Sequence, residues 1–215
     1  NERPTDFYLE SFDDSKWDNM NVPALWELNG YGDPVYRNVG FAWSNFWPVD
    51  PPKIEVKRNH VGSYRRYIDI PDEWLKQQTV LYIGSATSNV YVWVNGKKVG
   101  YSEDSKLACE FDITKYLRKG KNLIALQIFR WCDGSYLEDQ DFWRLSGISR
   151  DCYLYSLPKV HITDVELVPD LVNNYTDGKL YINVSANGKG KFSATLFDAD
   201  NKEIRQHSFN STVGL

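Results

Sequence analysis

Apolar and polar positions alternate with period two along most of this chain. Val90-Tyr91-Val92-Trp93-Val94 runs into Asn95-Gly96 and then into Lys97-Lys98-Val99-Gly100-Tyr101. An Asn-Gly pair between two such runs is the strongest short-range hairpin signal, because both residues of the turn need positive φ. The same alternation predicts strands over residues 63–70, 79–85, 89–94, 98–102, 122–129 and 151–157. A helical period is almost missing. Single turns are expected at 13–17, at 72–76 behind Pro71, and at 114–117 with Thr114 as a candidate N-cap. Six or more antiparallel strands at this spacing predict an all-β chain built on a jelly-roll β-sandwich.

The pattern changes near Pro158. Residues 160–168, 179–186 and 191–197 still alternate, with turns expected at Asp177-Gly178 and Asn187-Gly188 and a hairpin closed by 198–202. These read as the first strands of an immunoglobulin-like sandwich. The stretch is short of the roughly 100 residues that such a sandwich needs. The expected organisation is therefore a sandwich domain over 1–157 and a partial immunoglobulin-like domain over 158–215. The polar opening Asn1-Glu2-Arg3 does not read as a signal peptide, and the end at Leu215 carries no capping signal. Both ends suggest a piece of a larger protein.

Composition adds exclusions. A net charge of −4 gives no electrostatic footprint for nucleic acid or an anionic membrane, and no apolar run approaches the roughly 20 residues of a membrane span. Cys109, Cys132 and Cys152 are odd in number and show no metal-ligand spacing, so they read as reduced, small core residues. Unpaired cysteines fit either cytoplasm or periplasm. The unusual numbers are 8 Trp, 14 Tyr and 10 Phe against 1 Met. Every Trp precedes Pro158. Most of these rings suit pleated, half-buried surfaces; some could stack on the apolar face of a sugar.

Two segments could carry chemistry. Residues 131–144 hold four carboxylates in the midst of Trp and Phe rings, which suggests a polar cleft with ring platforms for a hydroxyl-rich ligand. In an extended segment Asp139 and Asp141 would share one face, roughly 6.6 Å apart, near the separation of an inverting glycosidase pair. Neither acid sits in an apolar run of the kind that raises a general acid's pKa, so binding of a sugar or a hard cation is the better reading. The second segment, 22–39, is rich in Gly, Pro and aromatics without strand or helix period. It reads as a long ordered loop, and long ordered loops are usually functional.

These segments carry a resemblance. Val22-Pro23, Trp26, Gly30-Tyr31, Pro34, Tyr36 and Asn38-Val39 resemble the N-terminal sugar-binding domain of glycoside hydrolase family 2. The run Asp133-Gly134-Ser135-Tyr136-Leu137-Glu138-Asp139-Gln140-Asp141-Phe142-Trp143-Arg144-Leu145-Ser146-Gly147-Ile148 is similar to the large β-galactosidases of the LacZ type. The resemblance implies a galactose-binding-domain-like jelly roll that contributes one wall to a galactose pocket at the edge of a separate (β/α)8 barrel. It implies that Asn38 and Asp141 contact the sugar with Val39 beside them, and that Asp141 also ligates a sodium ion, with Mg2+ as the parent's other cation. Glu138, Asp139, Trp143 and Arg144 are then expected to support the loop: the acids through hydrogen bonds or pairing with Arg144 or Arg150, and Trp143 packed underneath. Tyr101 and Asp104 take a structural role. The family's two catalytic glutamates lie on the barrel, so none of these residues is expected to be catalytic. The implied parent is a homo-oligomeric, retaining β-galactosidase acting on terminal β-D-galactosides. The rings of 41–47, where relatives are more aliphatic, would shape the loop near the aglycone. A stand-alone carbohydrate-binding module without hydrolase activity is the alternative.

Overall fold

The computed structural model describes residues 3–45, 47–138 and 141–210, with residues 209 and 210 described in backbone only. Numbered along the chain, the strands are β1 (Ala24–Leu25), β2 (Val35–Arg37), β3 (Val61–Ile70), β4 (Gln78–Ile83), β5 (Val90–Val94), β6 (Lys97–Ser102), β7 (Cys109–Asp112), β8 (Gly120–Phe129), β9 (Phe142–Arg144), β10 (Gly147–Ile148), β11 (Cys152–Leu157), β12 (Ile162–Val172), β13 (Asp177–Ala186), β14 (Lys191–Phe197) and β15 (Glu203–Asn210). The only helical pieces among the described residues are short 3-10 turns, and no helix there is long and apolar enough to cross a membrane. The all-β expectation holds. The chain divides into two compact units, Asn1–Ser156 and Leu157–Leu215.

In the first unit a four-stranded sheet, β3-β8-β5-β6, and a three-stranded sheet, β11-β4-β7, share one core. Alternation decides which residues enter it. Val90, Val92 and Val94 point inward from β5 and are at most 1% exposed, while Tyr91 and Trp93 point outward. Leu81 and Ile83 from β4 and Ile124, Leu126 and Ile128 from β8 complete the layer. The second face of β8 is buried too, at Leu123, Ala125 and Gln127; on the neighbouring β5, Trp93, the partner of Ala125, is covered by Phe7 and Tyr8 with ring centroids 5.4 and 5.2 Å away. Arg65 fastens that segment by a 2.7 Å pair with Asp14 and a 2.7 Å bond to the Leu9 carbonyl. The β5–β6 hairpin turns at Asn95 and Gly96, whose φ values of 50° and 80° are those its Asn-Gly signal required.

Four further strands lay outside the expected set for the site region. Residues 22–39, expected as loop throughout, contain β1 and β2, which pair antiparallel with β10 and β9. Strands this short have no visible period of their own; their partners, over 100 residues away, define them. Thr114 is not an N-cap: it sits inside its 3-10 turn, and its hydroxyl accepts the Thr79 N–H at 2.9 Å.

The second unit holds four antiparallel strands in two hairpins, β12–β13 and β14–β15. The turn of the first falls at residues 173–176 and not at Asp177-Gly178. Asn173, Asn174 and Tyr175 all take positive φ there, so the Asn pair supplies the left-handed positions. β12 runs on through Pro169, which an edge strand tolerates because its missing N–H can face solvent.

Candidate functional site

The small β2–β9 ladder brings together residues distant in sequence. Its register pairs Val35 with Arg144, Tyr36 with Trp143, and Arg37 with Phe142. Asn38 directly follows β2 and Asp141 directly precedes β9, at the end of the ladder where Arg37 pairs with Phe142. Opposed residues of an antiparallel ladder have Cα atoms roughly 4.5–5.5 Å apart and side chains on one face. Two residues singled out from different segments thus flank one end of the ladder.

The ladder is two-sided. Both strands read half-buried, exposed, half-buried. Tyr36 (51% exposed) and Trp143 (55%) stand on the outer face with ring centroids 5.5 Å apart. Tyr36 donates its hydroxyl hydrogen to Asp141 Oδ1 at 2.8 Å, which raises the tyrosine's pKa, chiefly through that hydrogen bond and then through the carboxylate's charge. Asp141 and Asn38 are exposed, and the Asn38 amide has no hydrogen-bond partner among the described residues. Val39, 77% exposed, continues the patch.

The inner face fastens the ladder to the domain. Arg37 reaches back over its own loop to Asn45 Oδ1 at 2.7 Å and to Ser44 Oγ at 3.2 Å. Arg144 donates to the Phe142 carbonyl at 2.5 Å, and its guanidinium lies 4.3 Å from the Phe142 ring centre. Behind them Trp43, 2% exposed, packs between Phe41, Trp131 and Tyr136 at centroid distances of 5.1–5.3 Å. Phe41, Trp43 and Trp47, part of the aromatic surplus of this stretch, are thus core for the loop. The cavity among Trp43, Ser88, Arg130, Glu138 and Phe142 is only about 40 Å³. That volume suits a water, whereas ligand pockets run to roughly 300 Å³ or more. The space behind the ladder is therefore too small for a sugar, and the ladder's exposed side chains are on the outer face.

The support expected of individual residues is partly redistributed. Glu138 does hold the loop, but its partner is Ser105: it accepts the backbone N–H at 2.9 Å and the hydroxyl in a short bond. Arg150 donates to the Lys106 carbonyl at 2.9 Å. Trp143 does not pack beneath the loop. Its parity places it outside, and Phe142 and Arg144 take the inner positions. Asp139 lies outside the described residues. Tyr101 is structural as expected, donating to Glu103 in a short bond.

A buried ion pair that sequence reading missed joins both segments. Arg130 Nη2 lies 3.7 Å from Glu27 Oε1, with the two side chains 5% and 1% exposed. Arg130 also donates to the Asp33 carbonyl at 2.8 Å, and Glu27 accepts the Ser146 N–H at 2.8 Å. Glu27 and Asp33 flank the loop before β2, and Ser146 follows β9, so the pair clamps both strands of the ladder. Gly147 is obligatory beside it: its φ is +119°, and a Cβ there would meet the Ala24 carbonyl at 2.7 Å. One further cluster, Glu103, Cys132 and Asp133, brings ligand atoms within 4.8 Å of one another. Burial pushes the Glu103 carboxyl and the Cys132 thiol up, toward their neutral forms, so it reads as a hydrogen-bonded corner.

Chemically, the outer face offers a carboxylate that accepts, an amide that both donates and accepts, and ring surface beside them. That set recognises vicinal hydroxyls on a ring with an apolar face. Asp141 is a hard oxygen donor suited to Na+ or Mg2+, yet it supplies only a small part of a roughly six-ligand sphere. No described pair of carboxylates faces each other on this ladder as a glycosidase acid and nucleophile would.

The sequence and the fold agree with known proteins. The chain is 43% identical to a β-galactosidase of Priestia megaterium over 99% of its length, and 42% identical to one of Lactobacillus delbrueckii subsp. bulgaricus over 83%. It spans about a fifth of the length of these curated relatives, 21% and 18%. Among solved structures, a β-glucuronidase of Bacteroides uniformis matches 98% of this chain and 24% of its own with a TM-score of 0.77, and a β-glycosidase of Bacteroides vulgatus with 0.74. At 22% and 21% identity these show the fold alone. The model of the glycosyl hydrolases family 2 sugar-binding domain matches residues 3–158. The chain belongs to the sugar-binding domains of glycosyl hydrolases family 2.

Proposed function

We propose that these 215 residues are the non-catalytic N-terminal part of a retaining β-galactosidase. Asn38 and Asp141 contact the hydroxyls of a terminal β-D-galactoside, with Val39 at the rim. The observation that carries the reading is the pairing of β2 with β9, which leaves Asn38 and Asp141, both exposed, at the same end of one ladder. The relatives named β-galactosidase support galactose as the sugar; the likeness to glucuronidases carries fold only. The acid/base and nucleophile belong to a barrel elsewhere in the enzyme, and this chain alone is inactive. Asp141 fits as one ligand of a sodium ion, which when bound would balance the carboxylate's charge and hold a sugar hydroxyl; a homo-oligomeric enzyme belongs to the same reading.

The test is Asp141→Asn in the complete enzyme. We expect kcat/KM for a galactoside to fall by about 100-fold or more, since a charged acceptor is lost where the sugar binds. An unchanged kcat/KM overturns the assignment. A second reading, a free-standing carbohydrate-binding module, has one observation in its favour: the exposed Tyr36–Trp143 ring pair. Calorimetric titration of residues 1–215 with galactose separates the two, because tight binding by the isolated chain favours the module.

A further inference from the structure

We infer that Tyr36 is a positioning residue for the sugar site, acting through Asp141. The inference rests on the reading of Asp141 as a sugar contact and adds a residue to which no role was attached. Its basis is geometric. Tyr36 stands opposite Trp143, and Asp141 precedes Trp143 by two positions, so Asp141 is the diagonal neighbour of Tyr36 on the same face. Diagonal neighbours lie roughly 7–8 Å apart, within reach of aromatic and long side chains but not of Ser or Thr. The tyrosine hydroxyl spans that gap and donates to Oδ1 at 2.8 Å. Its ring rests on Trp143 at 5.5 Å, which limits the angles from which the hydroxyl can approach.

The chemistry of the donor matters. Lys or Arg at this position would also reach, but would place a positive charge on the carboxylate and occupy it more fully. A phenol donates one hydrogen bond and leaves the charge in place. One of about four lone-pair sites on the carboxylate is then used. Oδ2 takes no hydrogen bond from the described residues, so it stays available to an incoming hydroxyl or cation. An exposed carboxylate with a fixed rotamer loses less freedom when a sugar binds than one that rotates.

A double-mutant cycle in the complete enzyme tests this, using Tyr36→Phe, Asp141→Asn and both together. Tyr36→Phe keeps the ring and removes only the donor. We expect it to lower kcat/KM for a galactoside by about fivefold to tenfold and to raise the inhibition constant of free galactose by a similar factor. Thermal stability should not move. In the Asp141→Asn background the same substitution should have no further effect. Full loss on top of Asp141→Asn, or a loss that follows a lowered Tm, overturns the positioning role. So does an unchanged kcat/KM in Tyr36→Phe beside an impaired Asp141→Asn, which leaves the galactose reading standing. An unimpaired Asp141→Asn removes both.

Discussion

The β5 strand and the β12–β13 hairpin obey one pattern and end in opposite environments. Val90, Val92 and Val94 alternate along β5 and are buried to 1% exposure or less. In the hairpin the register stacks Val165 on Val184, Leu167 on Ile182 and Pro169 on Leu180, an equally apolar stripe on one face. Yet Val165, Leu167, Leu180 and Ile182 are 38–57% exposed. Alternation specifies which face is apolar; only a second layer buries it. The first unit has two facing sheets, and β8 is covered on its outer side as well. It buries even a charged pair, Glu27 and Arg130. The second unit leaves leucines open on a hairpin whose pairing is otherwise complete.

The contrast can be broken by substitution, and all eight Trp lie in the first unit, so their fluorescence follows that unit alone. Ile128→Ala, at a fully buried position, should cost about 4 kcal/mol in urea unfolding read by Trp emission. Glu27→Gln leaves Arg130 buried without its countercharge and should cost about 3 kcal/mol; a loss below about 1 kcal/mol would mean that the 3.7 Å pair is not what clamps the ladder. Leu167→Ser, on the open stripe of the Trp-free second unit, should shift stability by less than about 0.5 kcal/mol in urea unfolding followed by far-UV circular dichroism, which reports the strands of both units. A cost comparable to that of Ile128→Ala would show that the stripe is covered in solution and that the contrast is false.

Much of this was legible in the sequence, for reasons that differ by element. β3, β4, β5, β6, β8 and β11 announce themselves because each is five residues or longer and either alternates or, as in β4 and β8, carries a continuous apolar run, and the Asn95-Gly96 turn is local chemistry. β7 escaped notice because Cys109-Glu110-Phe111-Asp112 is too short to show a period. β2 and β9 are three residues each, and their existence depends on a partner 105 positions away, as with Tyr36 and Asp141. No window on the sequence contains that information. Asn38 and Asp141 entered through resemblance to a family, and the ladder leaves them at the same end of paired strands. Trp143 was misplaced for a related reason. A Trp in an acidic segment looks like a loop anchor until pairing assigns its side, and the pairing turned it outward while Phe142 went in. Glu27 and Arg130 carried no sequence signal at all, since isolated charges read as surface.

The three-residue strands impose a rule on how this region can change. Wet and dry sides are assigned by odd and even position along 35–37 and 142–144, with no length to spare for averaging out a mistake. Losing one residue between Asp141 and Arg144 would turn the carboxylate toward the Trp43 block and bring an anchoring side chain into water. Losing two would restore the sidedness and shorten the reach. A change of length in this stretch is therefore expected to keep Asp141 on the face of Tyr36 only in even steps.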